Sequence, residues 1–346
     1  MSKLISRPVY GERDPITFLE EMNSLTLHHM QGCVEFAGMW PDWKKAERAE
    51  ELPFVHVGVF KQLELKTTGK DIKHERVVHS SSTSGVSSRI VLDARSSKLQ
   101  TESTTKILTD FVGPEKRSLL ILDSAKSLYR RELSARIAAA MSLRPLSSEI
   151  HFLMEDPEEP GSMKWDLLAK ILASHDSFLV YGFSWVLWLA WARATFPDDI
   201  KSVLRKKKVH FVHSGGWKKL EASKVSREEF DSKLLENVDR DSEVVDFYGL
   251  VEQLGIIYPL CEHGARHIPV WADIVVRDTY TLKPLEEKAG QLQLLNTITY
   301  GAPYHSVLSE DIGRILPSSC LCGRLGKRFE LLGRVPKAEI RGCANV

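Results

Sequence analysis

Three short segments, far apart in the chain, carry side chains that complement one another chemically. Ser80-Ser81-Ser82-Thr83-Ser84-Gly85 is rich in hydroxyls and ends in glycine, a composition able to wrap polyphosphate oxygens with side-chain O–H and backbone N–H groups. Asp246-Phe247-Tyr248-Gly249-Leu250-Val251-Glu252 offers an aromatic face and a carboxylate, and Gly333-Arg334 offers a guanidinium. Together they suit ATP, with Glu252 presenting a hard oxygen ligand for Mg²⁺. A second constellation is built on sulfur. Cys261 and His267 are spaced C-x₅-H, Cys320 and Cys322 are spaced C-x-C, and this Cys₃His set suits tetrahedral Zn²⁺. Four protein ligands leave no open position for water, so such a metal would be structural.

The order of these motifs, with others between them, resembles the LuxE-type acyl-protein synthetases. These belong to the adenylate-forming superfamily of acyl-CoA synthetases and phenylacetate-CoA ligase-like enzymes. SSSTSGVSSRI, from Ser80 to Ile90, is similar to the family's phosphate loop S-S-G-T-T-G-x-x-S-x-I, with Ser82 in place of a glycine and Ser84 in place of a threonine. His213-Ser214-Gly215-Gly216-Trp217 resembles the glycine pair before the adenine pocket, and YGLVEQLG, from Tyr248, resembles the tyrosine-glutamate segment. CEHGARHIP from Cys261, Ser309-Glu310-Asp311-Ile312-Gly313, Cys322-Gly323-Arg324 and LGRVPKAEIRGC from Leu332 complete the series. The likeness runs from about residue 50 to the C-terminus.

The resemblance implies roles for individual residues. Ser81, Thr83, Ser84, Gly85 and Ser88 would surround the polyphosphate. Tyr248 would stack on adenine beside Gly249, and Gly215 and Gly216 would let backbone approach the ring edge. Asp311 would accept from the ribose hydroxyls and Arg334 would donate to the same sugar. Val251 stands where the wider superfamily has threonine, so one hydroxyl is missing from the site. Phenylacetate-ligase-like relatives carry a zinc in an arrangement similar to Cys261, His267, Cys320 and Cys322. Here it would clamp the tyrosine-glutamate region to the segment leading toward Arg334. Cys343, in Arg341-Gly342-Cys343, matches the cysteine that takes the acyl group in the family. Its thiolate would attack an acyl-adenylate, giving a thioester and releasing AMP.

The expected function is therefore ATP-dependent activation of a carboxylic acid, a fatty acid by family likeness, followed by transfer to Cys343 and on to a partner. Adenylate formation in the superfamily also uses a lysine on a long C-terminal domain that this sequence lacks. Lys218, Lys219 or Lys337 would substitute, or another subunit would complete the site. The family works beside a fatty acyl reductase and a transferase, so an acyl reductase, an acyltransferase or a carrier protein is the expected partner. Two other readings stay open: a ligase passing the acyl group directly to coenzyme A, an amine or a carrier protein, and a non-catalytic zinc-stabilised subunit. Ser82, Val251 and the missing lysine favour the latter.

Elements able to hold such a site are visible in the apolar pattern. LLIL from Leu119, Glu149 to Leu153, Ser177 to Tyr181 and Val209 to Val212 are short runs bounded by charged or turn residues, as buried strands are. Leu128 to Met141 and Ser162 to Ser174 have helical spacing, and Ser226-Arg227-Glu228-Glu229 has the form of a capping box. This alternation predicts an α/β fold with largely parallel sheets, the large domain of an adenylate-forming synthetase without a full C-terminal lid. The expected divisions are a helical segment over 1–50, a core over 51–332 and a short tail over 333–346 carrying Cys343. FLVYGFSWVLWLAWA, from Phe178 to Ala192, is too short to span a bilayer and reads as a buried strand leading into a helix. Phe183, Trp185 and Trp188 in it are candidates for pocket walls.

Composition limits the class of partner. The 346 residues are 43% hydrophobic and 27% charged, with a formal net charge of +1. That balance supports a large core and gives no electrostatic footprint for nucleic acid. Arg205-Lys206-Lys207-Lys208 is the one sharp basic cluster and reads as a solvated helix end. MSKLISRPVYGERDP has no apolar signal-peptide core, which predicts a cytoplasmic protein. Cys33 has no evident partner.

Overall fold

The computed structural model describes residues 2–79, 88–129, 133–156, 158–215, 217, 224–316 and 319–335. Its centre is a six-stranded sheet in the spatial order Tyr258–Pro259, Glu243–Tyr248, Lys208–Ser214, Ser177–Phe183, Arg117–Ile121, Ser147–Phe152. Five of these strands are mutually parallel and only Tyr258–Pro259 runs against its neighbour. The apolar runs explain the placement: Leu119, Leu120, Phe178, Leu179, Val180, Val209, Phe211 and Val212 are all at most 1% exposed. Strands covered on both faces read as continuous apolar stretches.

Helices close the crossovers. Trp165–Ser174 buries Leu168, Ile171 and Leu172. Arg227–Leu235 starts where Ser226 Oγ accepts from the Glu229 N–H at 3.1 Å, as its capping residues predict. The stretch 178–192 is a buried strand followed by the helical turn Ser184–Leu187 and a wider π turn over Trp188–Ala192. Among the described residues no helix is long and apolar enough to cross a membrane.

Two expectations need correction. Helix does not run from Leu128 to Met141. Leu133–Ser134 is a short strand parallel to His74–His79, and helix begins only at Ala135. Backbone groups committed to a neighbouring strand cannot also close helical turns. Nor are the sheets all largely parallel. The second six-stranded sheet is antiparallel through Arg266–His267, Arg328–Arg334, Ser306–Ile315, Gly290–Asn296 and Ala272–Arg277, with Val55–His56 added in parallel to Ser306–Ile315. Every residue of Ala272–Arg277 and Gly290–Asn296 is buried, which erases the polar–apolar alternation by which antiparallel strands announce themselves.

The first fifty residues pack into this core. Asp14 caps the helix Pro15–Gly32, accepting from the N–H groups of Ile16 and Thr17, and the helix places Phe18 and Met22 in the main apolar cluster. Cys33 is buried with Phe36, Phe60 and Tyr304 in a second cluster. The strand Arg328–Arg334 continues through Gly333 and Arg334, the first two residues of the expected tail.

The same helix carries His29 to within 4.7 Å, ring to ring, of His305, and both side chains are fully buried. His29 reaches Thr67 Oγ1 at 2.7 Å and His305 reaches Thr26 Oγ1 at 3.0 Å. Burial holds His305 down to about 3 and pushes His29 well below its usual range. The unfolded chain therefore binds protons that the folded chain refuses, and stability falls as pH drops below about 6.5. Between pH 7 and pH 5 the loss from His305 should be about 2 kcal/mol, and His29 adds to it in the same direction. Urea unfolding midpoints across that range test this, and a midpoint independent of pH would refute it.

Candidate active site

The parallel strands end at one edge of the antiparallel sheet, and a cavity of about 480 Å³ lies between them. Carboxyl ends of strands in open α/β sheets are where ligands usually bind. Glu243–Tyr248 delivers Tyr248 and Gly249 to the cavity, Lys208–Ser214 delivers Gly215, and the antiparallel sheet delivers Asp311 and Arg334.

These last groups are physically joined. Asp311 and Arg334 are register partners on adjacent antiparallel strands. Arg334 Nε donates to Asp311 Oδ1 at 3.2 Å, and the Tyr248 hydroxyl donates to Asp311 Oδ2 at 2.8 Å. Burial, then the Asp311 charge, pushes the Tyr248 hydroxyl well above its usual range, so it remains a donor. Its ring stacks on Tyr258 at 6.0 Å and meets Phe329 edge-on at 6.2 Å. The Arg334 side chain is 71% exposed, so this ion pair contributes little to stability and leaves the guanidinium accessible.

Gly215 has φ +81°, a conformation that favours glycine, and an added Cβ would sit 3.4 Å from the Phe183 ring. The Ser184 hydroxyl donates to the Gly215 carbonyl at 2.8 Å and lies 2.9 Å from His213 Nδ1. Aromatic walls come from Trp217 and Phe230. Trp188 packs behind both, at 5.6 and 6.1 Å, and neither it, Phe183 nor Trp185 lines this cavity.

Glu252 is 4% exposed, on the turn Val251–Gln253. Burial pushes its carboxyl up, while a hydrogen bond from Ser88 and the positive charge of Lys61 pull it down. Ser88 is the first described residue after the hydroxyl-rich loop, so a buried carboxylate stands where that loop rejoins the fold. Such a group would suit Mg²⁺ as a hard oxygen ligand. Ser81, Thr83, Ser84, Gly85, Gly216, Lys218, Lys219, Lys337 and Cys343 lie outside the described residues.

Beside the cavity is a charged network with no counterpart in the sequence reading. Asp246 pairs with Arg266, lies 3.7 Å from Arg227 Nη1, and sits 3.9 Å from His213 Nδ1. Burial holds His213 down to about 4, so its imidazole is neutral at physiological pH. Asp246 stands two residues before Tyr248, and Arg266 stands between two expected metal ligands; those positions were the available signals. Lys61 was likewise missed.

The sulfur constellation does converge. The ligand atoms of Cys261, His267, Cys320 and Cys322 lie within 4.8 Å of one another. Cys261 Sγ is 3.8 Å from Cys320 Sγ, and Cys322 Sγ is 3.2 Å from His267 Nε2. These are free thiols. A tetrahedron with Zn–S bonds of ~2.3 Å has S···S edges of about 3.8 Å, so the donor set and its spacing fit zinc.

Compared with known proteins, the chain matches the model of the family described as acyl-protein synthetase, LuxE, over residues 23–346. The chain belongs to this family. Two curated relatives, both named long-chain-fatty-acid–luciferin-component ligase, are similar over shorter stretches. The protein of Aliivibrio fischeri is 25% identical over 141 residues, 40% of this chain, and that of Vibrio harveyi is 27% identical over 139 residues, 39% of this chain. Each match spans 36% of the relative's own length.

Among solved structures, an open conformation of 2-hydroxyisobutyryl-CoA ligase in complex with 2-HIB-AMP and CoA superimposes with a TM-score of 0.65. It is 12% identical, and the match covers 93% of this chain and 70% of that one. The same ligase in its thioesterification state gives 0.66, at 12% identity, over 93% of this chain and 68% of that one. The family member described here thus has the α/β fold of adenylate-forming ligases.

Proposed function

We propose that this protein activates a long-chain fatty acid with ATP and passes the acyl group, by way of Cys343, to a partner protein. The observation that carries the nucleotide part is the meeting of Tyr248, Asp311 and Arg334 at one cavity; Glu252 does not line it but is near enough for the Asp311 charge to act on its carboxyl. Fold similarity to a CoA ligase solved in complex with 2-HIB-AMP and CoA supports the reaction type. The names of the two curated relatives support the choice of a long-chain fatty acid.

A carboxylate is a poor electrophile because its oxygen is a bad leaving group. In the proposed first step a carboxylate oxygen attacks the α-phosphorus of ATP, and pyrophosphate leaves. The ribose is held by Asp311 and Arg334 and the adenine by Tyr248 and the Gly215 backbone. Mg²⁺ bound through Glu252 would offset charge on the phosphates. In the second step the Cys343 thiolate attacks the acyl carbon, the C–S bond forms, and AMP leaves with the electron pair of the broken C–O bond. Zinc on Cys261, His267, Cys320 and Cys322 would take no part in either step.

Pyrophosphate release, screened over fatty, aryl and amino acids, tests the reaction. Release with long-chain fatty acids is expected, and none with any acid would favour a non-catalytic subunit. Asp311→Ala and Arg334→Ala should each weaken ATP binding roughly 10-fold, as loss of a hydrogen bond to a charged group does. Calorimetric titration showing unchanged affinity in both would remove them from the ribose site.

A further inference from the structure

The metal cluster and the nucleotide cavity share a two-residue strand. Arg266–His267 pairs antiparallel with Phe329 and Arg328, and successive side chains on a strand point to opposite faces. His267 turns toward Cys322, while Arg266 turns toward Asp246 in the cavity wall. Arg266 is 7% exposed and makes three hydrogen bonds: Nη2 pairs with the Asp246 carboxylate, and Nη1 donates to the carbonyls of Tyr258 at 2.7 Å and Asp246 at 3.3 Å.

The hairpin that ends in this strand is docked on the same residue. Leu260 N–H donates to the Asp246 carbonyl at 2.8 Å, Leu260 bridges Arg266, and Cys261 N–H donates to Ala265 O at 2.9 Å. The four ligands therefore tie together two bodies of structure. Cys261 lies two residues after Tyr258–Pro259, the edge strand of the mostly parallel sheet, whereas His267 lies in the antiparallel sheet and Cys320 and Cys322 lie between two of its strands. One wall of the cavity, with Asp246 and Tyr248, belongs to the first sheet. The adjoining wall, with Asp311 and Arg334, belongs to the second.

We infer that Arg266 is a positioning residue that couples the Cys261–His267–Cys320–Cys322 metal cluster to nucleotide affinity, so that metal binding and ATP binding strengthen each other. The inference rests on the nucleotide reading above. Coupling between two sites is reciprocal: whatever factor the metal adds to ATP affinity, ATP adds to metal affinity. Ordinary couplings are about 5- to 150-fold.

The test uses the full chain reconstituted with zinc. ATP affinity is measured by calorimetry with metal bound and after chelation, and zinc release to a chromophoric chelator is timed with and without ATP. About 10-fold weaker ATP binding without metal, with zinc release slowed by ATP, is expected. Arg266→Lys retains a charge for Asp246 but cannot bridge the Tyr258 carbonyl as well. It should keep one equivalent of zinc and lose the protection by ATP, which keeps the inference testable even if chelation unfolds the protein. ATP binding that ignores the metal, or full protection in Arg266→Lys, overturns the coupling alone. No ATP binding by the zinc-loaded wild type overturns the nucleotide reading and the coupling with it, and failure to bind zinc overturns the coupling.

Discussion

Glu252→Gln should lower pyrophosphate release on the order of 10²-fold or more while the protein stays folded. Glutamine keeps the size and one oxygen of the side chain, so the hydrogen bond from Ser88 still has an acceptor. What it removes is the negative charge. At a 4% exposed position that charge is costly to hold, and the hydrogen bond from Ser88 does not depend on it. A thermal midpoint at or above wild type, with activity lost, is the pattern expected of a carboxylate kept for its metal. Near-normal pyrophosphate release would take Glu252 out of the mechanism, and a collapse of stability would make it a structural residue.

Cys343→Ala should divide the reaction in two. Formation of the acyl-adenylate uses groups upstream, so exchange of pyrophosphate into ATP in the presence of the fatty acid should continue. Acyl transfer to a protein acceptor should fall to background. Intact-mass measurement of wild type should show an acyl adduct that hydroxylamine removes, as a thioester requires, and the variant should show none. A variant that still transfers acyl groups at the wild-type rate would make the direct ligase the better account, with coenzyme A or an amine as acceptor.

The main elements were readable from sequence because buried parallel strands are apolar throughout, as in Ser177–Phe183 and Lys208–Ser214. Four cavity-lining residues were readable for a different reason. Gly215, Tyr248 and Arg334 sit at strand ends and Asp311 lies within Ser306–Ile315 opposite Arg334, each inside a short motif, and the fold brings all four to one cavity. The antiparallel sheet was hidden because strands buried on both faces, with internally paired polar groups such as Gln293 and Arg277, do not alternate. The Asp246 network was hidden because its partners come from three places: the first turn of a helix, the end of a parallel strand and a hairpin. Pairing of Arg266 with Asp246, twenty residues earlier in sequence, has no local pattern to reveal it.

The position of Arg334 has one more consequence. Backbone pairing extends as far as Val335, whose N–H donates to the Glu310 carbonyl at 2.8 Å, so the described chain leaves the sheet at the rim of the cavity. Cys343 is nine residues beyond Arg334, a tether whose fully extended length is about 30 Å. In the proposed reaction a thiol within that reach would meet the acyl-adenylate as an intramolecular reactant, at an effective concentration on the order of millimolar, whatever the concentration of protein. The proposal then requires first-order transfer within one chain, and dilution should leave its rate unchanged.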